Sequence, residues 1–226
     1  MRKFGIVRAE ERMRFSNFVN ELYKEFSKEL PGVEAHKEMA PLKRPTAEQI
    51  RKVRKDPRLS AIMVLFYPID DRPHFVLTQR PNYKGTHSGQ VSFPGGKMEE
   101  VDLNLKETAL RETWEEVGVP KEDIQVLGEL TEVYIPPSNF LVSPYVGFCD
   151  IKPEFIIDPI EVVEAFDVPA SLLLDESIVK HKSIKISTVG MKINTPYYDI
   201  NDKVVWGATA VMLAELKVIL KRLSNG

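Results

Sequence analysis

Residues 93 to 119 constrain the fold more than any other stretch, because a glycine pair leads directly into an acidic segment. Between Glu99 and Glu116 there are seven carboxylates and two cations, although the whole chain of 226 residues has a formal net charge of −2. Gly95 and Gly96 come just before this segment, and a glycine pair allows the backbone to approach another group closely. The pattern predicts a helix over about 104 to 117 whose charge needs a counter-charge.

The predicted helix is amphipathic when its residues are placed about 100° apart on a helical wheel. The apolar side consists of Leu103, Leu110, Trp114 and Val117. The opposite side consists of Glu112, Glu115 and Glu116. We interpret the apolar side as the one that packs on the core, and Trp114 as a core residue.

The three glutamates are spaced to share a cation. Carboxylates at i,i+3 and i,i+4 have Cβ atoms roughly 5–6 Å apart and destabilise a bare helix by about 0.2–0.5 kcal/mol per pair. Mg²⁺ or Mn²⁺, bound about 2.1 Å from each oxygen, fits between two such side chains. A solvated acidic face is the alternative for this spacing alone. The glycine pair, together with Arg111 beside Glu112, favours the metal.

The rest of the chain mixes strands and helices without regular βαβ alternation, which predicts an α+β or mixed-sheet α/β fold. Helices are predicted over 15 to 30 and 206 to 223. Strands are predicted over 61 to 67 and 74 to 78, joined by a turn at 70 to 73, and within 124 to 134, 139 to 149 and 161 to 168. Residues 80 to 96 are predicted as a loop. We expect one domain over 1–226 with an N-terminal helical extension over about 1–58.

Composition excludes several classes of function. The net charge of −2 leaves no broad basic field, so we expect no nucleic-acid partner. No apolar run approaches 18 residues, so no membrane partner is expected. The single cysteine, Cys149, cannot form a disulfide framework or a CxxC zinc site and fits a reducing, cytoplasmic location.

The acidic segment resembles the Nudix box, the signature of hydrolases that cleave nucleoside diphosphates linked to another group. The usual pattern is G-x5-E-x7-R-E-U-x-E-E-x-G-U. The matching residues here are Gly96, Arg111, Glu112, Glu115, Glu116 and Gly118. Asp102 stands for the first glutamate, and one additional residue separates it from Arg111. Asp102 is equally suited to cap the helix N-terminus.

Residues 76 to 96, VLTQRPNYKGTHSGQVSFPGG, resemble the upstream motif of the Nudix coenzyme A pyrophosphatases, LLTxR[SA]x3Rx3Gx3FPGG. That subfamily is also similar in having the additional residue in the box. The departures are Val76, Pro81 and Gly85, of which Gly85 replaces an arginine. Lys84 is adjacent but lacks the planar fork of an arginine. The resemblance extends over about residues 30 to 222.

The resemblance implies a Nudix α/β/α sandwich, with a mixed β-sheet between helices. It implies metal-dependent hydrolysis of the pyrophosphate linkage of coenzyme A or an acyl-coenzyme A, giving 3′,5′-ADP and 4′-phosphopantetheine, with Mg²⁺ or Mn²⁺ as cofactor. The expected partner is a small nucleotide substrate resembling coenzyme A, and a homodimer stays open. The alternatives are a hydrolase of another nucleoside diphosphate derivative, such as an ADP-sugar or a dinucleotide, and a Nudix-fold sensor that binds without cutting.

The resemblance also implies roles for individual residues. The metal ligands are the Gly96 carbonyl, Glu112, Glu115 and Glu116, and Arg111 positions the glutamates. The general base is expected outside the box, at Glu161 or Glu164, with a slight preference for Glu164; a polar strand face is the alternative for both. The substrate-binding residues are expected to be Arg80, Lys84 and His87, although a histidine in a loop is more often structural.

Overall fold

The computed structural model describes residues 14–40, 42, 45–53, 56–83, 87–186 and 190–225. The helices are α1 (Phe15–Glu25), α2 (Gly32–His36), α3 (Ala47–Val53), α4 (Leu105–Val117) and α5 (Gly207–Asn225). The strands of the larger sheet are β1 (Arg58–Ile69), β2 (Arg72–Gln79), β3 (Val91–Ser92), β4 (Gly95–Lys97), β5 (Gln125–Glu129), β6 (Val133–Ile135), β7 (Phe140–Phe148) and β8 (Glu164–Pro169). A smaller sheet contains β9 (Val179–Ile186), β10 (Met191–Ile200) and β11 (Lys203–Val205).

The long strand β1 is the centre of the larger sheet. It pairs antiparallel with β2 and β4 and parallel with β7, so the sheet is mixed. The predicted hairpin between β1 and β2 is present, and its turn residues Asp70 and Asp71 have φ of 49° and 58°. Positive φ at both central residues is the geometry that matches the twist of a two-residue hairpin, and aspartate tolerates it better than most residues.

Helices cover both faces of this sheet. Side chains alternate along β1, and because the residues on both sides are apolar, each face needs a packing partner. Ile62, Val64 and Phe66 point into a core shared with α1 and α5. Ala61, Met63 and Leu65 point into a second core that contains residues of α4. The predicted α/β/α arrangement with a mixed sheet between helices is confirmed.

The glycine pair lies in a strand, which corrects the prediction of a loop over residues 80 to 96. Ile62 of β1 pairs with Gly95, and Ala61 pairs with Gly96. Gly95 has φ +151°, and a Cβ at this position would lie 2.4 Å from the Ala61 carbonyl oxygen. A side chain at Gly95 would therefore collide with the backbone of β1, and glycine at this position lets β4 lie against it.

The N-terminal helices pack on the body of the protein. Phe15, Phe18 and Leu22 of α1 are buried in the core that α5 shares. The buried Glu215 of α5 accepts a hydrogen bond from the Gly32 amide at 3.1 Å and lies 2.9 Å from His36 Nε2. The helix predicted over 15 to 30 ends at Glu25.

The smaller sheet has no counterpart among the predicted strands, since none was predicted between residues 169 and 206. Its β9–β10 hairpin pairs Val179 with Tyr198 and continues to the pair Ile186 and Met191. None of the helices in the described part of the chain is long and apolar enough to span a bilayer.

Candidate active site

The acidic helix α4 begins and ends at residues suited to those positions. The side chain of Asn104 accepts a hydrogen bond from the Glu107 amide at 3.1 Å, which caps the N-terminus. Asp102 is therefore not the cap, and that alternative was wrong. Gly118 follows the last turn with φ 73°, the left-handed conformation in which glycine commonly ends a helix.

The buried side of α4 differs in part from the predicted one, since Leu110 and Val117 are buried as predicted but the other two residues of the apolar side are not. Trp114 is 58% exposed and Leu103 is 89% exposed, so the prediction of Trp114 as a core residue was wrong. The buried residues are Thr108, Ala109, Leu110, Glu112, Thr113, Glu116 and Val117. Because α4 packs on β1 through a stripe that contains the small residues Ala109 and Thr113, the same stripe carries Glu112 and Glu116 inward.

The glycine pair makes room for these two carboxylates. A Cβ on Gly96 would lie 2.4 Å from Glu112 Oε1, so only glycine fits without moving that side chain. The Gly95 amide donates a hydrogen bond to Glu116 Oε2 at 3.3 Å. The sequence spacing between the glycines and the glutamates therefore corresponds to direct contact between β4 and α4.

A third carboxylate joins the pair from a different part of the chain. One oxygen each of Glu112, Glu116 and Glu161 lies within 4.8 Å of the others. Glu161 is exposed and comes from the segment before β8. Burial raises the pKa of Glu112 to about 7 and that of Glu116 to about 8. Buried carboxylates that resist ionisation and converge in this way fit a hard divalent cation, which supplies the missing positive charge.

Arg111 lies at the centre of a network of charged hydrogen bonds. Its Nε lies 2.8 Å from Asp102 Oδ1, and its Nη1 lies 2.7 Å from Glu115 Oε2 and 3.0 Å from Glu112 Oε1. The hydrogen bond from Arg111 is the largest cause that lowers the pKa of Asp102 to about 2. Glu115 is half exposed and turned toward Arg111, so it does not join the group of three carboxylates.

Two of the three residues expected to bind substrate, Arg80 and His87, fall within the described residues. Arg80 Nη1 is 3.8 Å from Glu116 Oε1. His87 has φ 71° and lies beside Gln90, with 2.9 Å from His87 Nδ1 to Gln90 Oε1. Lys84 lies outside the described residues.

Of the two expected bases, Glu161 reaches the carboxylate group and Glu164 does not. Glu164 Oε2 accepts a hydrogen bond from Lys203 Nζ at 2.8 Å, at the edge where β8 begins. Its setting is that of a polar strand residue, which was the stated alternative. The slight preference for Glu164 over Glu161 is therefore not supported by the geometry.

A cavity of about 1170 Å³ opens beside the carboxylates. Its lining includes Gly96, Arg111, Glu112 and Glu161 around the carboxylates, and apolar residues of the β6–β7 hairpin such as Ile135 and Phe140. The strands run in the order β4, β1, β7, β6 across this region. Three strand spacings of about 4.8 Å place β6 roughly 14 Å from β4. The cavity is large enough for a nucleotide joined to a second group.

The sequence predictions missed several cavity residues. Arg58, Ser60 and Ile62 line it from one face of β1, and Lys185 lines it from β9. Alternation along a strand predicts that residues two apart share a face, which could have grouped the three residues of β1. No local signal connects Lys185 to the acidic helix, because the two are brought together only by the tertiary fold.

Comparison with known proteins gives the family context of this geometry. The NUDIX domain model matches residues 57–182. The chain is 32% identical over 196 residues to "Nudix hydrolase 3" of Caenorhabditis elegans, covering 78% of this chain and 80% of that protein. It is 34% identical over 145 residues to "Uncharacterized Nudix hydrolase NudL" of Photorhabdus laumondii, covering 64% and 76%. Among solved structures, the Nudix hydrolase RenU from M. smegmatis is similar in fold, with a TM-score of 0.51 at 14% identity, over 74% of this chain and 87% of that one.

Proposed function

Since the chain belongs to the Nudix hydrolase family and its relatives identify it as a pyrophosphohydrolase, we propose that it hydrolyses the pyrophosphate linkage of coenzyme A or an acyl-coenzyme A. One observation carries the choice of substrate. The stretch over residues 76 to 96, which resembles the coenzyme A motif, contributes Arg80, His87 and Gly96 to the cavity that Glu112 and Glu161 line. The products would be 3′,5′-ADP and 4′-phosphopantetheine, or its acyl form.

The ligands that we propose for Mg²⁺ or Mn²⁺ are Glu112 and Glu116, assisted by the Gly96 carbonyl. When bound, the metal would neutralise the charge of the pyrophosphate and acidify a water molecule. The support for this assignment is that both carboxylates are buried with raised pKa values, and that the Gly96 backbone contacts Glu112 without a side chain between them.

Other side chains position these groups and receive the proton. Arg111 forms ion pairs with Glu112 and Glu115, and Asp102 holds the Arg111 guanidinium in place. We propose that this network keeps the carboxylates in one arrangement as substrate enters. Arg80, at 3.8 Å from Glu116, is close enough to the carboxylates to bind an oxygen of the pyrophosphate. Glu161 is exposed to water and faces Glu112 and Glu116, and we assign it to accept the proton of the attacking water.

The mixed polar and apolar lining of the cavity fits a substrate with two unlike halves. The carboxylate end suits the pyrophosphate. The apolar residues of the β6–β7 hairpin, whose strand β6 lies roughly 14 Å from β4, suit a long and weakly polar arm such as that of pantetheine. Ile135 of β6 and its register partner Phe140 of β7 supply this apolar surface, and Arg58 lies over the Phe140 ring with 4.2 Å to its centroid.

The test is a substrate comparison with purified protein and Mg²⁺ or Mn²⁺. Coenzyme A, acetyl-coenzyme A, ADP-ribose, NADH and diadenosine polyphosphates are each incubated with wild type, Glu116→Gln and Glu107→Gln, which is the control on the same helix. We expect 3′,5′-ADP to be released fastest from a coenzyme A substrate, and only Glu116→Gln to lose the activity.

Two results would overturn the proposal. Faster cleavage of ADP-ribose, NADH or a dinucleotide would leave pyrophosphate hydrolysis in place and replace the substrate. Binding of one of these compounds without cleavage would favour a sensor.

A further inference from the structure

The cavity receives one cation from the smaller sheet. Lys185 of β9 lines the cavity together with Arg80 and Glu112, although it is remote in sequence from both. Directly opposite Lys185 on β10 lies Lys192, its register partner in the antiparallel pair. Residues directly opposite each other project from the same face of a sheet, so the side chains of Lys185 and Lys192 leave the hairpin side by side.

This pairing of like charges is unfavourable without an anion. Two lysines directly opposite each other destabilise an antiparallel pair. Elsewhere on the hairpin, Lys180 is neutralised by Asp199. Within the described part of the chain, no carboxylate forms an ion pair with Lys185 or Lys192. A negatively charged ligand in the cavity would relieve the repulsion.

The other cations that line the cavity lie near the site of cleavage or beside the β6–β7 hairpin. Lys97 directly follows Gly96, and its carbonyl oxygen accepts a hydrogen bond from Arg111 Nη2 at 3.0 Å. Arg111 binds Asp102, Glu112 and Glu115, and Arg80 lies next to Glu116. Arg58 stacks on Phe140. A substrate that carries a phosphate apart from the cleaved linkage needs a different cation, and Lys185 supplies one on the cavity wall.

We propose that Lys185, assisted by Lys192, binds a phosphate monoester on the ribose of the substrate, separate from the pyrophosphate that is cleaved. This inference rests on the proposed function, because coenzyme A carries such a group at the 3′ position and dephospho-coenzyme A does not. The hairpin would thus select substrates that have the additional phosphate over those that end in an unmodified ribose.

The experiment measures hydrolysis of coenzyme A and dephospho-coenzyme A by wild type, Lys185→Gln and the double variant Lys185→Gln/Lys192→Gln. Lys182→Gln is the matched control, since Lys182 is exposed on the same strand. Lys182 lies three residues from Lys185, and because side chains alternate along a strand, the two lysines project from opposite faces. We expect Lys185→Gln to raise the KM for coenzyme A about three- to tenfold, to leave the KM for dephospho-coenzyme A unchanged, and to leave kcat unchanged. The double variant should extend the same selective effect.

The outcomes separate this inference from the proposed function. If wild type cuts both compounds equally, or if the preference for coenzyme A survives in the double variant, the lysine site is refuted and coenzyme A hydrolysis stands. Equal losses on both compounds would also refute it. If wild type cuts neither compound but cuts another pyrophosphate, the proposed function fails, and the lysine site fails with it.

Discussion

Arg111 donates two hydrogen bonds to the Asp102 carboxylate, from Nε to Oδ1 at 2.8 Å and from Nη2 to Oδ2 at 2.9 Å. The same guanidinium contacts Glu112 and Glu115, so one cation ties the segment before α4 to the carboxylates on it. An aspartate in place of the usual glutamate, with one additional residue before the arginine, still brings a carboxylate to the arginine.

Asp102→Asn should destabilise the protein at pH 7 by about 1–3 kcal/mol, because a nearly buried charged pair loses one member. The folded-state pKa of Asp102 is lowered from 3.8 to about 2. A lowered pKa means that this stabilisation is present above about pH 4 and is lost as the pH falls through about 2. Urea unfolding at pH 7 and at pH 2.5 should therefore show a smaller difference between variant and wild type at the lower pH. An unchanged free energy of unfolding at pH 7 would contradict the role given to this pair.

Substitutions at the two glycines should separate function from stability. In Gly96→Ala the three atoms nearest the new Cβ all belong to the Glu112 carboxylate, the closest at 2.4 Å. The fold should therefore persist while kcat falls at least about tenfold. In Gly95→Ala the Cβ meets backbone, with 2.4 Å to the Ala61 oxygen, at a φ that favours glycine. That variant should lose about 2–4 kcal/mol of stability. Thermal unfolding measured beside activity checks both, and equal effects of the two substitutions would contradict the packing described.

Without metal, the stability of the wild type should fall as the pH rises from about 4.5 to about 8. The folded-state pKa of Glu116 is raised from 4.5 to about 8 by burial, so in this range the folded state holds a proton that the unfolded state has lost. Greater proton binding by the folded state makes it less stable as the pH rises. Glu116→Gln should remove much of this slope, which melting temperatures in EDTA between pH 5 and pH 9 would show.

The control for the pH series is Glu115→Gln, which changes a half-exposed carboxylate one residue away. It should keep the slope of the wild type. At pH 8 in EDTA, Glu116→Gln should melt above the wild type, and at pH 5 the two should melt together. A Glu116→Gln protein that melts below the wild type at pH 8 would contradict the view that the ionised, buried Glu116 destabilises the fold when no cation is bound.

Glu161→Gln should lower kcat by at least about a hundredfold at saturating Mn²⁺, because it removes the carboxylate assigned to take the proton from water. Glu164→Gln should lower kcat less than about threefold, since Glu164 is bonded to Lys203 at the strand edge. Steady-state rates for the two variants give the comparison. A large loss in Glu164→Gln with normal rates in Glu161→Gln would reverse the assignment.

The elements that sequence predicted well are those with strong local signals. The β1–β2 hairpin has a continuous apolar run and two aspartates at its turn, and α4 has helical spacing between a glycine pair and Gly118. The predicted burial of Trp114 was wrong for a physical reason, although Leu110 and Val117 are buried as predicted. A helical wheel groups apolar residues, but the packing partner decides which stripe of the helix is covered. Here β1 accepts the small residues Ala109 and Thr113, and Trp114 is left in solvent.

Two other features depended on long-range contacts. The β9–β10 hairpin escaped prediction because its first strand, VKHKSIKI, carries four cationic or imidazole side chains in eight residues and few long apolar ones. Glu161 and Glu164 lie three residues apart. The pairing of Glu164 with Gln79 of β2 determines that β8 begins at Glu164, so Glu161 lies outside the strand. No property of the segment alone distinguishes them.

The most direct test of the account is Mn²⁺ binding, measured by titration calorimetry at pH 7.5 on wild type, Glu116→Gln and Glu115→Gln. If Glu112 and Glu116 hold the cation, Glu116→Gln should weaken the affinity at least about tenfold, while Glu115→Gln should stay within about threefold of wild type. Wild-type affinity in Glu116→Gln would contradict the central claim that the buried carboxylates of α4 are the metal site.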